Sequence, residues 1–280
     1  MNEKGIEIIK ASGERTLFSV GKLRSSLKKS GAREVDIDEI IQLVTEELYP
    51  GISTKEIYNR AFALLKKKHS LFASKYKLKK AIYELGPTGF PFERFVGAVL
   101  KYSGYSIQIG EIVQGECVKH EVDVIAGKNG SFMMVECKFH ADAGRKCDVK
   151  IPLYIVSRFS DIQKKWNTPS SHSPLTDAWV ATNTRFTSQA LEYGKCAGLY
   201  LLSWDHPKQN SLKERIDRLG LHPITSSVLL SKREKQFLLD RGVVLCRELV
   251  EQSFFMDYLG ISEKRKNRII NEAKALCENA

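Results

Sequence analysis

Three side chains within one short stretch of the sequence have the types and spacing that metal-assisted hydrolysis requires. Asp123 is separated by twelve residues from Glu136, and Lys138 follows two positions later. Mg²⁺ in proteins is commonly held by one or two carboxylates together with water and phosphate oxygens. An ammonium group beside such an ion can orient the attacking water and stabilise the negative charge that develops in the transition state. These residues therefore predict hydrolysis of a phosphodiester bond.

A β-hairpin is expected to bring these residues together. Residues 122–126 and 132–138 alternate in polarity and are rich in β-branched and sulfur-containing side chains. Asn129-Gly130 between them is a strong signal for a two-residue turn. The pattern therefore predicts two antiparallel strands whose register is set by that turn.

This register is expected to place two carboxylates opposite each other. Counted outward from the turn, Asp123 faces Glu136 and Val122 faces Cys137. Lys138 shares the face of the acids because strand side chains repeat with period two, and the other face is expected to be apolar. Directly opposed like charges, with Cβ atoms ~5 Å apart, destabilise a sheet unless a cation neutralises them. A magnesium site is one explanation, and a solvated strand face with a cross-strand ion pair is the alternative.

The motif resembles that of the PD-(D/E)XK nuclease superfamily, written here as Asp123, twelve residues, and Glu136-Cys137-Lys138. The preceding segment, GFPFERFVGAVLKYSGYSI, looks like the opening helix of the Mrr-like, type IV restriction endonuclease branch. Its apolar residues fall at helical spacing, at Phe92, Phe95, Val96, Val99 and Leu100. The later segment DAWVATNTRFTSQALEYGKCAGLYLLSWD resembles the strand, helix and strand that follow in that family. The resemblance therefore covers about residues 86–205.

The resemblance implies a fold and a set of roles. The fold would be α/β, with a restriction-endonuclease-like mixed sheet flanked by helices. A Mg²⁺ or Mn²⁺ ion would be held by Asp123, Glu136 and the carbonyl of Cys137, and Lys138 would position the attacking water. Glu93 corresponds to an acid near the metal site of the family and would support that site.

The first 86 residues have an organisation of their own. A strand-like segment with the turn residues Ser12-Gly13 is followed by apolar patterns of helical period. Ser53 and Glu56 form a capping-box pattern at the start of one of these helices. The predicted helices cover residues 22–30, 37–48, 54–67 and 74–85.

This arrangement resembles the ATP-cone, a regulatory nucleotide-binding module. Lys10 and Gly13 match the first and last residues of its KRxG signature, and Ala11 stands where the signature has an arginine. The further matching residues are Lys22, Thr54, Lys75 and Tyr76. The resemblance implies that these residues bind ATP or dATP as a regulatory ligand. Because of Ala11, the alternative is a degenerate cone that serves only in oligomerisation or faces DNA.

The segment from 207 to 280 is predicted to be helical. Ser231 and Glu234 form a capping-box pattern, and Gly242 separates the first helix of this segment from the next. A helix, a glycine hairpin and a second helix resemble helix-hairpin-helix or SAM-like tails, which bind DNA phosphates. The implied charged contacts are Lys264, Arg265, Lys266 and Arg268. A tail that serves packing alone is the alternative.

Composition limits the class of protein. No apolar run approaches ~18 residues and the N-terminus lacks the apolar core of a signal peptide, so we expect no membrane span and a cytoplasmic location. The six cysteines include no CxxC pair, which argues against a disulfide framework and a zinc ribbon. The net charge is +11, with 17 basic and 11 acidic residues in 1–86, 13 and 12 in 87–206, and 14 and 10 in 207–280. Basic flanks around a nearly neutral segment favour DNA as a partner.

The sequence thus predicts an ATP-cone-like domain (1–86), an Mrr-like nuclease domain (87–206) and a helix-hairpin-helix or SAM-like tail (207–280). The predicted function is that of a Mg²⁺-dependent DNA endonuclease, regulated by ATP or dATP and acting in restriction or DNA defence. A homodimer is expected because two cuts usually need two sites. The alternatives are a nucleotide-responsive DNA-binding regulator with an inactive nuclease fold, and a repair or junction nuclease.

Overall fold

The chain has a mixed α/β fold, which the computed structural model describes for residues 5–168 and 173–278. The strands are β1 (Glu7–Ile9), β2 (Arg15–Leu17), β3 (Ile52–Ser53), β4 (Ser106–Gln114), β5 (Lys119–Lys128), β6 (Ser131–Lys138), β7 (Lys146–Cys147), β8 (Leu175–Thr182), β9 (Arg185–Phe186) and β10 (Tyr200–Leu202). The helices are α1 (Val20–Lys29), α2 (Glu34–Glu46), α3 (Thr54–Lys68), α4 (Ser70–Tyr76), α5 (Leu78–Tyr83), α6 (Phe90–Lys101), α7 (Lys150–Trp166), α8 (Ser188–Cys196), α9 (Leu212–Leu219), α10 (Lys232–Asp240), α11 (Cys246–Glu251), α12 (Phe255–Tyr258) and α13 (Glu263–Cys277). None of these helices is long and apolar enough to cross a membrane.

The N-terminal part combines a small sheet with helices. β1 lies between β2, its antiparallel hairpin partner, and β3, which runs parallel to it. Gly13 in the hairpin turn has a φ of +82°, a conformation that favours glycine. The Ser53 hydroxyl accepts a hydrogen bond from the backbone N–H of Glu56, which confirms the predicted start of α3. The predicted helix 74–85 is instead divided between α4 and α5, which meet at Lys77.

A five-stranded mixed sheet forms the central part, with the strand order β10-β8-β6-β5-β4. β10, β8 and β6 run parallel, whereas β5 pairs antiparallel with both β6 and β4. The turn between β5 and β6 consists of Asn129 and Gly130, whose φ angles of 53° and 78° are both positive, as a type I′ hairpin turn requires. Val124 pairs with Val135, so the predicted register is confirmed up to this pair.

Both faces of the central sheet are covered by helices. The first face carries Val124 and Val135 and packs on α6. The second face carries Ile125 and Met134 and packs with Ile155 of α7. The first face is the apolar one predicted for the hairpin, and the face that carries Glu136 is covered as well, by α7.

The apolar stripe predicted for the opening helix is confirmed in α6. All five of its members are fully buried against the first face of the sheet. Burying each such side chain contributes about 1.5–3 kcal/mol. This packing fixes α6 along the sheet and so fixes the position of the polar residue Glu93 at its N-terminal end.

The helices after residue 207 share a hydrophobic cluster with α5, α6 and the first face of the sheet. The capping box of Ser231 and Glu234 begins α10, as predicted. Gly242, with a φ of +80°, ends the turn that follows α10. This cluster contains residues from both sides of positions 86 and 206. The domain boundaries at these two positions stay predictions.

Buried hydrogen bonds connect the N-terminal helices to the C-terminal ones. The Ser74 hydroxyl on α4 donates to Glu272 Oε1 on α13 at 2.7 Å, and both side chains are buried. The ammonium of Lys77 donates to the backbone carbonyl of Thr225 at 2.9 Å. The backbone N–H of Val228 donates to Glu272 Oε1 at 3.2 Å. Glu272 therefore joins α4 to the loop that precedes α10.

Candidate active site

The four residues predicted to carry catalysis lie at one end of the central sheet. Asp123 lies on β5, Glu136 and Lys138 lie in the last three positions of β6, and Glu93 lies in the first turn of α6. The charges of Asp123, Glu136 and Lys138 all act on the carboxyl of Glu93. Sheet and helix thus bring the four side chains into one electrostatic cluster, and Arg158 of α7 completes it.

Asp123 lies where the pairing between β5 and β6 ends. Its Oδ2 accepts a hydrogen bond from the backbone N–H of Cys137 at 2.6 Å. Val122 and Cys137, predicted to face each other, lie beyond the last paired residues and belong to clusters on opposite faces of the sheet. The strict alternation is interrupted here, and the carboxylate takes the place of a strand carbonyl as the acceptor for Cys137 N–H.

Glu136 is buried and bound by two cations. Its Oε1 accepts a hydrogen bond from Lys138 Nζ at 2.5 Å, and its Oε2 accepts one from Arg158 Nη1 at 2.5 Å. Arg158 also donates to the backbone carbonyl of Glu121. A buried carboxylate without such partners would carry a large desolvation cost. Arg158 was not among the residues predicted from the sequence, although an arginine within the apolar stripe between Ile155 and Ile162 was an available signal.

The remaining carboxyls of the cluster resist ionisation. Burial, together with the nearby charge of Glu136, raises the pKa of Asp123 to about 6. Burial and the charge of Asp123 raise the pKa of Glu93 to about 7. Burial alone would lower the pKa of Lys138, but its hydrogen bond to Glu136 outweighs this effect and raises it. Ionisation of Asp123 and of Glu93 is therefore disfavoured by burial first and by the neighbouring carboxylates second.

The donor atoms of the cluster fit a magnesium ion in their chemistry. Carboxylate and carbonyl oxygens are the ligands that Mg²⁺ prefers, and among the described residues no ion pair involves Asp123. In the described ranges, no three His, Cys, Asp or Glu side chains stand together as a ready-made ligand group, and both oxygens of Glu136 are engaged by cations. The thiol of Cys137 is buried, and burial raises its pKa, so only its carbonyl oxygen suits the predicted role.

The chain after β6 is held by the end of β8. The Thr182 hydroxyl donates to the backbone carbonyl of Lys138 at 2.7 Å. The buried Asn183 amide accepts from the backbone N–H of His140 at 2.9 Å and donates to the carbonyl of the same residue at 2.8 Å. These bonds restrict the backbone on the C-terminal side of Lys138, at the point where β8 ends.

Four of the six residues predicted to bind nucleotide line one cavity. Lys10, Lys22, Thr54 and Tyr76 surround a space of about 280 Å³ between the N-terminal hairpin and its helices, which we call the hairpin cavity. Lys10 is also paired with Glu14 at 2.8 Å. The other two predicted residues do not line this space: Gly13 lies in the hairpin turn, and Lys75 lines a different cavity.

The four predicted DNA contacts of α13 divide into two pairs. Arg265 donates to both carboxylate oxygens of Glu234, at 2.5 and 2.7 Å, and so ties α13 to the start of α10. Lys266 is paired with Asp257 at 2.5 Å. Lys264 and Arg268 are exposed and lie one turn apart on the helix. These two remain the members of the set that are available for a phosphate.

The fold and the site define a mixed α/β protein with a partly buried cluster of carboxylates and cations at the strand ends. A family model described as "AF1548-like, C-terminal" matches residues 222–277. An uncharacterized protein of Archaeoglobus fulgidus is 33% identical over 177 residues, which are 63% of this chain and 96% of that protein. The crystal structure of AF1548, described as a protein of unknown function, matches with a TM-score of 0.56 and 30% identity over 68% of this chain and 98% of that one. The chain therefore belongs to the AF1548-like family.

Proposed function

We propose that the chain is a Mg²⁺-dependent DNA endonuclease, with a restriction-endonuclease-like central part and an ATP-cone at its N-terminus. The observation that carries the proposal is the convergence of Asp123, Glu136, Lys138 and Glu93 at one end of the sheet. Two of these carboxyls have raised pKa values, so their ionisation at neutral pH works against folding. Such strongly shifted groups gathered at one site are typical of active sites.

The surroundings of each side chain suit a role in phosphodiester hydrolysis. Asp123, Glu136 and the carbonyl of Cys137 would hold the Mg²⁺ or Mn²⁺ ion, which would supply positive charge to the scissile phosphate. Lys138 donates one hydrogen bond to Glu136, which leaves ammonium protons to orient a water molecule. Glu93, with a pKa of about 7, can accept a proton from that water near neutral pH and release it again.

Cleavage of supercoiled plasmid tests this function. The full chain is incubated with Mg²⁺ or Mn²⁺ and with unmodified, methylated or branched DNA, and nicked and linear products are measured. We expect metal-dependent cutting that Glu136→Gln lowers by a factor of at least about 10². The matched control is Asp177→Asn, which removes an exposed carboxylate from β8 of the same sheet and should leave the rate unchanged. Equal cutting by wild type and Glu136→Gln would refute the assignment of the site.

The hairpin cavity supports regulation by ATP or dATP. Lys10 and Lys22 can approach phosphate oxygens from two sides, because one follows β1 and the other lies in the first turn of α1. We expect Lys22→Ala to weaken nucleotide binding about tenfold by calorimetry, as the loss of one charge-assisted contact predicts. Lys55→Ala, at an exposed position of α3 outside the cavity, is the control. Regulation is refuted if neither nucleotide alters assembly or cleavage.

DNA is the proposed polyanionic partner, and α13 offers two cations for it. Lys264 and Arg268 are exposed on the same side of the helix. Replacing both by alanine should remove about two phosphate contacts and so make the dependence of DNA affinity on salt concentration less steep. An unchanged slope in a titration from low to high salt would exclude α13 from the interface. Light scattering on the DNA complex tests the expected homodimer.

A second candidate, a DNA-binding regulator that does not cut, is favoured by one observation. Both oxygens of Glu136 already accept a hydrogen bond from a cation, Lys138 or Arg158, so an incoming metal has to compete with these two cations for the carboxylate. If this pairing persists with DNA bound, the chain should bind DNA but fail to cut it in either metal. Calorimetric binding of Mg²⁺ that Asp123→Asn abolishes would exclude this candidate.

A further inference from the structure

A larger cavity lies where the N-terminal helices meet the C-terminal part of the chain. Its volume is about 500 Å³, and we call it the junction cavity. Five lysines line it: two lie on α1, one on α4, one on α5 and one on α9. They are Lys28, Lys29, Lys75, Lys79 and Lys213. The cavity is distinct from the hairpin cavity, although Ser26, Tyr58 and Tyr76 form part of the wall of both.

Basic residues outnumber acidic ones on this wall, since the five lysines face two acids, Asp217 and Glu278. Lys28 is paired with Glu34 at 2.9 Å, and Lys213 with Asp217 at 2.5 Å. Among the described residues, no ion pair involves Lys29, Lys75 or Lys79. Three ammonium groups on the wall of one cavity repel one another. An anion with several charges would relieve this repulsion.

Aromatic side chains form the rest of the wall. Tyr58 and Tyr76 stack with ring centroids 5.1 Å apart, and the ammonium of Lys79 lies 6.0 Å from the centre of the Trp204 ring. The Tyr58 hydroxyl and His222 Nδ1 are buried and have no hydrogen-bond partner in the described structure. Burial lowers the pKa of His222 to about 4, so its ring is neutral near pH 7. Buried polar atoms in native proteins are rarely left without a partner, and here two of them belong to residues that line one cavity.

We propose that the junction cavity binds a nucleoside phosphate, with the phosphates on Lys29, Lys75 and Lys79 and the base against the aromatic part of the wall. Lysines supply point charges for phosphate oxygens, and aromatic rings stack on any base. The same chemistry belongs to a free nucleotide and to the phosphorylated end of a nucleic acid strand. This site goes beyond the proposed function, because it depends neither on cleavage at Glu136 nor on binding in the hairpin cavity.

The position of the site gives its ligand a structural effect. The wall is built from α1 and α4 on one side and from α9 and the segment around His222 on the other. A ligand that contacts both sides binds only the state in which they are packed together. It therefore stabilises that packing by mass action.

Calorimetry on the full chain tests the proposal with four probes: ATP, inorganic tripolyphosphate, and a thymidine hexanucleotide with and without a 5′-phosphate. The test variant is the double substitution Lys29→Ala with Lys79→Ala, both at exposed positions. The matched control is Lys80→Ala, an exposed neighbour on α5 that lies outside the cavity. We expect the double substitution to weaken one binding step at least tenfold and the control to leave it within twofold. Lys22→Ala separately reports on the hairpin cavity.

The outcomes separate the parts of the proposal. Binding unchanged in the double variant, whose fold is checked by circular dichroism, would overturn the site even if Lys22→Ala impairs the hairpin cavity. If tripolyphosphate binds as tightly as ATP, the proposed contact between the base and the aromatic part of the wall is overturned. If the 5′-phosphorylated hexanucleotide binds more tightly than ATP, and the hexanucleotide without the phosphate does not bind, the ligand is the phosphorylated end of a strand. If ATP binds more tightly than the phosphorylated hexanucleotide, the ligand is a free nucleotide. Absence of binding by all four probes would refute the site.

Discussion

Asp123→Asn is expected to stabilise the protein at neutral pH while removing its response to magnesium. The folded-state pKa of Asp123, about 6, lies above the ordinary value for aspartate, so its ionisation is disfavoured by folding. The stabilising effect of the neutral form is present at low pH and is lost as the pH rises through about 6. Asparagine keeps the neutral form at every pH and can still accept the hydrogen bond from Cys137 N–H.

The size of the effect follows from the shift in pKa. A shift of about two pKa units corresponds to about 3 kcal/mol, and partial exposure of the side chain reduces this to about 1–2 kcal/mol. For a chain of this size, 1 kcal/mol moves the Tm by about 2–4 °C. We therefore expect Asp123→Asn to raise the metal-free Tm at pH 7.5 by about 2–5 °C, with a difference near zero at pH 4.

Differential scanning calorimetry of the wild type and the variant, with and without Mg²⁺, measures both parts of the prediction. Mg²⁺ should raise the Tm of the wild type at pH 7.5 and leave that of Asp123→Asn unchanged. Asp177→Asn, at an exposed position of the same sheet, should behave like the wild type in both conditions. A variant that is less stable than the wild type at pH 7.5, or a difference that does not depend on pH, would refute the reasoning.

Three further predictions concern the same site. Arg158→Ala should lower the free energy of unfolding, measured in urea, by about 3 kcal/mol because it leaves Glu136 with one cation. If Arg158→Ala costs just as much in a protein that already carries Glu136→Gln, the ion pair between Arg158 and Glu136 is not the cause of the loss. The apparent affinity for Mg²⁺, measured by calorimetry, should rise from pH 5 to pH 7 and level off above about pH 8, because Asp123 and Glu93 must lose protons whose pKa values are about 6 and 7; an affinity independent of pH would remove both carboxyls from the metal site. Asn183→Ala should cost about 2–3 kcal/mol of stability, since the partly buried backbone N–H and carbonyl of His140 both lose their partner, and a loss below about 0.5 kcal/mol in urea unfolding would show that those bonds contribute little.

The parts of the fold that were predicted correctly from the sequence depend on interactions between residues close together in the chain. The Asn129-Gly130 turn and the stripe of α6 depend on backbone preference and on periodicity, both of which can be seen within a dozen residues. The capping pattern of Ser231 and Glu234 is equally local. These features place β5, β6 and α6 and therefore three of the elements that form the site.

The features that the sequence could not reveal depend on contacts between distant segments. Arg158 joins the site only because α7 covers the second face of the sheet, 22 positions away from Glu136 along the chain. Arg265 is an interhelical ion-pair partner because α10 begins beside α13, a proximity that no local pattern shows. Lys75 faces the junction cavity for a similar reason, since that cavity exists only once the C-terminal helices have packed.

The buried carboxylate of Glu272 limits how this chain can be cut into fragments that fold on their own. Its carboxylate on α13 accepts hydrogen bonds from Ser74 on α4 and from Ser227 and the backbone N–H of Val228. A fragment that starts after α5 would retain this buried acid but lose Ser74, and it would expose the apolar surface that α5 covers. Such a fragment is expected to be poorly soluble, so enzymatic comparisons of the N-terminal and central parts call for point substitutions in the intact chain. The hydrogen bond between Ser74 and Glu272 makes α4 and α13 interdependent during evolution, since neither helix can be exchanged for an unrelated module without a compensating change in the other.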